Sequence, residues 1–224
     1  MIRAAIFDMY ETLITHFQCP LYFSVQMAAD AGIPVERFQI LWRQTDYERT
    51  IGTMTMEQVL EMILRENHCY SEELLEKIAN KRIQTKEECF RHLHPEVIPM
   101  LSGLQEKGML IGLISNCFSE EAAVIRKSVL FPYFDAVYLS YEQGMRKPDE
   151  AIYQRCMSKL ALKPEECLYI GDGGSNELEA ARTLGMQTAQ AVWYLQEGTM
   201  QPSGRKPDFW QIERPLDVLK YLGL

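Results

Sequence analysis

Ala4-Ala5-Ile6-Phe7-Asp8-Met9-Tyr10-Glu11-Thr12-Leu13 begins as an apolar run and ends it on a carboxylate. A short apolar run followed at once by small and polar residues is the pattern of a parallel strand buried on both faces, which delivers a side chain to its C-terminal end. In an open α/β sheet, that end is where ligands bind. Asp8 is therefore a candidate reactive group, against the plainer alternative of a carboxylate that caps a turn. The rest of the chain decides between them.

Beyond this stretch the texture changes twice. From about residue 20 to 91, apolar residues recur at three- and four-residue spacing: Phe23, Met27, Ala28 and Ala31; Phe38, Leu41 and Trp42; Val59, Leu60, Ile63 and Leu64; Leu74, Leu75 and Ile78. The spacing predicts four amphipathic helices. Breaks fall at Gly32-Ile33-Pro34, Gly52-Thr53 and Cys69-Tyr70-Ser71, with Ser71 placed to cap the fourth helix ahead of Glu72 and Glu73. From residue 92 onward, helix and strand alternate. Strands are expected over 109–115, 136–139, 166–171 and 186–193, and helices over 95–108, 120–130, 149–160, 176–184 and 216–222. Alternation implies right-handed crossovers and a mainly parallel sheet. One strand, then a helical block, then β/α repeats implies that residues 15–91 are inserted into a sheet domain formed by 1–14 and 92–224.

Composition excludes several function classes. The chain has 224 residues, 47% of them hydrophobic, enough for a large core. Its 23 basic and 31 acidic residues leave a net charge of −8, and no Lys/Arg stripe offers a footprint for a phosphate backbone, so no nucleic-acid partner is expected. Six scattered cysteines without a C-x-x-C pair indicate neither a disulfide framework nor a thiolate zinc site and suit a reduced compartment. The first strand begins by residue 4 and no apolar run approaches the ~20 residues of a membrane span, so a soluble, cytoplasmic protein is expected. Composition leaves the oligomeric state open.

Three polar clusters each follow an expected strand: Asp8 with Tyr10 and Thr12, Ser115 with Asn116, and Gly171 to Asn176. Lys147 lies in the loop before the next helix. Two carboxylates at adjacent strand ends, Asp8 and Asp172, are costly to bury together without a cation between them, which argues for a hard divalent ion, most simply Mg²⁺. A carboxylate held beside Mg²⁺ and an ammonium suits attack on an anionic, electrophilic centre. The expected partner is a small anionic substrate.

In this order the segments resemble the motifs of the haloacid dehalogenase superfamily of hydrolases: Asp8-Met9-Tyr10-Glu11-Thr12-Leu13, Leu113-Ile114-Ser115-Asn116, Lys147-Pro148-Asp149 and Tyr169-Ile170-Gly171-Asp172-Gly173-Gly174-Ser175-Asn176-Glu177. The resemblance implies a Rossmann-like α/β core with an all-helical cap domain between the first two motifs. It implies Asp8 as the nucleophile that forms an aspartyl intermediate, Tyr10 and Thr12 as further members of the catalytic loop, and Lys147 and Ser115, or its neighbour Asn116, as oxyanion or phosphate ligands. Asp172 and the Tyr10 main-chain carbonyl join Asp8 as implied metal ligands.

Departures from the pattern bear on the reaction. Phosphatases of the superfamily place an Asp two residues after the nucleophile to protonate the leaving oxygen; here Tyr10 stands there, a loss of roughly 10²- to 10⁴-fold for a poor leaving group. Tyr at this position resembles the 2-haloacid dehalogenases, and Leu41-Trp42-Arg43-Gln44 resembles their cap segment, with Arg43 as a substrate-binding candidate. Gly171-Asp172-Gly173-Gly174 resembles a metal site, which those dehalogenases lack. Glu177 stands for a more usual Asp, and Glu11 for a small Gly. Three functions are compatible: a Mg²⁺-dependent phosphatase acting on a small phosphorylated metabolite, a C–X bond hydrolase using the same Asp8, and a catalytically weak metabolite-binding protein. His92-x-His94 as a metal pair, Cys117 as a nucleophile and the Met54–Met62 stretch as a binding box are weaker candidates.

Overall fold

The computed structural model describes residues 1–196 and 204–224. Six parallel strands, β1 (Ala4–Phe7), β2 (Leu110–Ser115), β3 (Ala136–Leu139), β4 (Cys167–Gly171), β5 (Gln187–Ala191) and β6 (Trp210–Ile212), form one sheet in the order β3-β2-β1-β4-β5-β6. This is an α/β, Rossmann-like fold, and β1 lies at its centre. Every residue of β1 is fully buried, because strands covered on both faces carry apolar side chains at consecutive positions.

Alternation along the strands sorts their side chains between two cores. Ala5, Phe7, Leu113 and Ile170 pack with α6 (Val97–Glu106), α7 (Ser119–Lys127) and α11 (Asp217–Tyr221). Ala4, Ile6 and Tyr169 pack on the other face with α9 (Glu150–Leu160) and α10 (Glu177–Thr183). A four-residue helix, α8 (Ser140–Gln143), follows β3. Between β1 and α6 lie α1 (Ser24–Ala31), α2 (Val35–Gln44), α3 (Asp46–Thr50), α4 (Met56–Glu66) and α5 (Glu72–Cys89), which enclose an apolar cluster of their own built on Met27, Phe38, Leu60, Ile63 and Ile78. Among the described residues, no helix is long and apolar enough to cross a membrane.

The expected β/α rhythm is present, and Ser71 caps α5 by accepting from the Leu74 N–H at 3.1 Å. The expected four helices of the inserted block are five. The Thr45 hydroxyl bonds back to the Leu41 carbonyl at 2.8 Å, and Thr45 itself leaves the helical region, so α3 separates from α2. His92 and His94 lie in the loop between α5 and α6. His92 pairs with Glu88, and His94 Nδ1 accepts from the Glu96 N–H, so the two do not form a metal pair.

Gly52, between α3 and α4, has a left-handed φ of +80°, and a Cβ there would overlap the main-chain carbonyl of Tyr141 in α8. Both the conformation and the close approach require glycine. Gly52→Ala is expected to destabilise the protein by about 3 kcal/mol, which thermal unfolding would read as a fall of roughly 6–12 °C in Tm.

Candidate active site

The strand register brings the polar clusters together. Phe7 pairs with Leu113 on one side and Ile170 on the other, so Asp8, Asn116 and Asp172 leave the sheet at the same end. The loop after β1 is anchored by fully buried Met9, Leu13 and Ile14, and the Trp193 indole N–H donates to the Thr12 carbonyl at 2.7 Å. Asp8 is held at a defined point because the residues after it are core.

Lys147 is the centre of the site. Its ammonium donates to Asp8 Oδ1 and to Glu177 Oε2, each at 2.5 Å, with all three side chains buried. The Tyr169 hydroxyl donates to Glu177 Oε2 at 2.7 Å, and the Gly173 N–H donates to Glu177 Oε1 at 3.1 Å. A Cβ at Gly171 would overlap the Glu177 carboxylate, so glycine at the end of β4 lets that carboxylate lie against the strand. Asn116 is on the wall of the site, but its side-chain amide holds the main chain of Lys147, donating to its carbonyl at 3.0 Å and accepting from its N–H at 2.8 Å. Asp172 Oδ1 accepts from the Gly174 N–H at 3.0 Å, in a turn where Ser175 and Asn176 both adopt left-handed φ of 52°.

Carboxylate oxygens of Asp8, Asp172 and Glu177 lie within 4.8 Å of one another. Burial pushes the Asp8 carboxyl well above the usual range. Lys147 opposes this, and Glu177 and Asp172 add to it. Lys147 itself is held up, since Asp8 and Glu177 outweigh the cost of its burial, so it is an ammonium. Three carboxyl groups this close, with one ammonium beside them, ionise together only if a further cation balances them, and an all-oxygen donor set suits a hard divalent ion. Glu177, which stands for a more usual Asp and lies outside the expected ligand set, joins Asp8 and Asp172 here; its place directly after the Gly171–Asn176 turn was the signal for it.

A cavity of about 580 Å³ opens on Asp8, walled by Tyr10, Asn116, Lys147 and Asp172 from the sheet and by Phe23, Asp46 and Thr50 from the helical block. The Tyr10 ring stacks on His16 with centroids 4.6 Å apart, and its buried hydroxyl has no hydrogen-bond partner among the described residues. Glu11, also on the cavity wall, adopts a left-handed conformation (φ 59°), where its carboxylate accepts from the Thr15 hydroxyl and the His16 N–H. Lys86 lies 2.6 Å from His16 Nε2. The ammonium donates there, which leaves the proton of the neutral ring on Nδ1, facing Glu11. Burial and Lys86 both lower the His16 pKa, consistent with a neutral ring.

Three expected residues are not on the cavity wall. Arg43 is exposed and bonds to Gln39 one turn earlier, because it lies on the solvent side of α2. Arg49, in α3, is fully buried between the rings of Trp42 and Phe118, at 3.8 and 4.0 Å from their centroids. Ser115 is fully buried at the end of β2, and its hydroxyl turns to the Asn116 carbonyl. The buried Thr12 hydroxyl has no hydrogen-bond partner among the described residues. Cys117 is buried, with its thiol pushed up by that burial, which is the wrong direction for a nucleophile.

The sequence profile described as haloacid dehalogenase-like hydrolase matches residues 2–185. The chain is 27% identical over 248 residues to a glyceraldehyde 3-phosphate phosphatase of Methanopyrus kandleri, covering 100% of this chain and 99% of that one. Its fold is shared with a 2-haloacid dehalogenase from Pseudomonas syringae (TM-score 0.68, 21% identity, 100% and 99% of the two chains covered). It is also shared with a family enzyme from Bacteroides thetaiotaomicron solved in complex with magnesium and inorganic phosphate (TM-score 0.65, 19% identity, 89% and 96% covered).

Where α5 meets α7, Lys86 and Arg82 pair with Glu121 at 2.7 and 3.4 Å, and Arg82 also pairs with Glu120 at 2.6 Å. Burial alone would raise the Glu121 pKa, but Lys86 and Arg82 overcome it and hold the carboxyl at about 2, below its ordinary 4.5. A depressed folded-state pKa contributes stability that is present above pH 4.5 and lost as the pH falls toward 2. Glu121→Gln is expected to lower Tm at pH 7 and to reduce the fall in Tm between pH 4.5 and 2, measured by thermal unfolding across that window.

Proposed function

The chain belongs to the haloacid dehalogenase-like hydrolases, and from that premise we propose that it is a Mg²⁺-dependent phosphatase acting on a small phosphorylated metabolite through an aspartyl-phosphate intermediate on Asp8. The observation that carries this reading is the cluster of three carboxyl groups at the floor of the cavity, two of them on the Lys147 ammonium, an all-oxygen set that a divalent cation would balance. Asp8, Asp172 and the Tyr10 carbonyl would hold the cation, with Glu177 beside them. When bound, Mg²⁺ would neutralise phosphoryl oxygens and orient them toward Asp8.

The chain's own groups supply the remaining chemistry. Lys147 draws the Asp8 carboxyl back toward its ionised form against burial and neutralises charge on the phosphoryl group as Asp8 attacks phosphorus. Asn116 and Glu177 fix the main chain and the ammonium of Lys147, so the cation does not have to be ordered during the reaction. The leaving oxygen departs, and water then hydrolyses the aspartyl phosphate and restores Asp8. The helices α1–α5 would act as a cap, supplying the Phe23, Asp46 and Thr50 side of the cavity and limiting access of water. Burial pushes the Tyr10 phenol well above its ordinary pKa, so it stays protonated and is a weak acid for the leaving group. Acyl phosphates and other activated phosphoryl donors therefore suit the site better than alkyl phosphates.

A 2-haloacid dehalogenase reading rests on Tyr10 alone, since halide departs without a proton. Halide release that is independent of Mg²⁺ would establish it.

The test is phosphate release from acyl, aryl and alkyl phosphates with and without Mg²⁺. Turnover is expected to require Mg²⁺ and to fall by at least about 10³-fold in Asp8→Asn. Absence of phosphate release under every condition overturns the reading. Glu177→Gln is expected to raise the Mg²⁺ concentration for half-maximal rate by about 10- to 100-fold, read from a metal titration. Tyr10→Asp, which restores a carboxylic acid near the leaving oxygen, is expected to raise kcat/KM for alkyl relative to aryl phosphates by about 10²-fold.

A further inference from the structure

Cys19 and Cys89 are 70 positions apart in sequence, yet their sulfurs lie 3.1 Å apart. Both are free thiols. Cys19 sits in the connection that leaves the sheet for the helical block, and Cys89 is the last residue of α5, where the chain returns. The sulfurs are oriented by their own segments: Cys19 Sγ donates to the His16 carbonyl at 3.3 Å and Cys89 Sγ to the Thr85 carbonyl at 3.4 Å. The same two connections are drawn together by Tyr194, whose hydroxyl accepts from the His94 N–H at 2.6 Å and faces the Leu13 carbonyl at 3.5 Å. A disulfide has an S–S length of about 2.05 Å, so closing the bridge asks for roughly 1 Å of approach.

We propose that Cys19 and Cys89 form an oxidisable dithiol site, which closes to an intramolecular disulfide on exposure to a small disulfide such as oxidised glutathione. Cys19 is partly exposed, whereas Cys89 is buried. The reagent therefore meets Cys19 first. The Cys19 thiolate attacks one sulfur of the small disulfide and expels one thiol, giving a mixed disulfide. Cys89, whose thiol burial pushes up while Lys86 draws it down, passes its proton to the departing sulfur of the small disulfide as it attacks the Cys19 sulfur, expelling the second thiol. The two protein thiols together give up two protons and two electrons, and the small disulfide is reduced to two thiols. The bridge links the two connections that carry the helical block, so it fixes that block against the sheet. Resting on the phosphatase reading above, turnover that depends on access to the cavity is lower in the bridged form and returns on reduction.

The experiment incubates the full chain in glutathione buffers of increasing oxidised fraction, traps free thiols by alkylation and maps peptides without reduction. A Cys19–Cys89 linked peptide, loss of two alkylatable thiols, a rise in Tm of several degrees and full reversal by dithiothreitol are expected. Cys89→Ser is expected to stop with one glutathione on Cys19. Cys19→Ser changes a partly exposed residue, so it keeps the test valid if the buried variant folds poorly, and it is expected to leave Cys89 unmodified. Wild-type protein that keeps a free Cys89 thiol while Cys19 is glutathionylated, or that forms no linked peptide in fully oxidising buffer, overturns the proposal. If the bridge forms but no phosphate is released in either redox state, the phosphatase reading fails and the dithiol site stands.

Discussion

The Lys147 ammonium, held between Asp8 and Glu177, is the interaction on which the site depends. Two carboxylates buried this closely repel each other and lose the solvation that would keep them ionised. Lys147 offsets part of that cost, and the structure secures Lys147 at both ends: Asn116 holds its main chain, and Glu177 its charged head. Glu177 is in turn fixed by Tyr169 and the Gly173 N–H, against a glycine at the end of β4 that leaves room for it. The cluster thus draws on four segments, Asp8 after β1, Asn116 after β2, Lys147 before α9 and Tyr169 to Glu177 from β4 into α10, and the parallel sheet brings them to one end.

A second buried charge cluster lies where the helical block meets the sheet, with Arg82 and Lys86 on α5 facing Glu120 and Glu121 on α7. Lys86 also reaches His16, and through it Glu11, so this cluster continues into the loop that carries Asp8. Glu11 pays for its left-handed conformation with hydrogen bonds to Thr15 and His16, which accounts for a carboxylate at a position suited to glycine. The cavity lies between the two clusters. Its floor carries reactive charge, while much of its far wall is aromatic, with Tyr10, His16, Phe23 and Phe118 as its members.

Shared fold does not separate the reactions, because phosphatase and dehalogenase relatives surround the same architecture. The distinction rests on a few side chains at one sheet end. Asp172 and Glu177 favour a cation, and Tyr10 disfavours protonation of a leaving oxygen. Substrate preference would then follow from the leaving group's own acidity as much as from its shape.

Much of the fold was legible in the sequence, because buried parallel strands read as short apolar runs and the helices between them show three- and four-residue spacing. Asp8, Asp172 and Lys147 were legible as well, since each follows or precedes a strand or helix at a position that a parallel sheet brings to its C-terminal end. Arg43 was misplaced because helical spacing sets which residues share a face but not which way that face points; α2 turns Arg43 to solvent. Ser115 follows the same logic in a strand, where a polar residue at the last position can face the core. The separation of α3, the role of Glu177, the Glu11 turn and the meeting of Cys19 with Cys89 depend on contacts between segments distant in sequence or on local hydrogen bonds that no periodicity encodes. Sequence alone determined the element order and the chemical inventory, because these rest on local periodicity and residue type. Only the tertiary structure decided which of those groups meet, because distances between remote segments are set by packing.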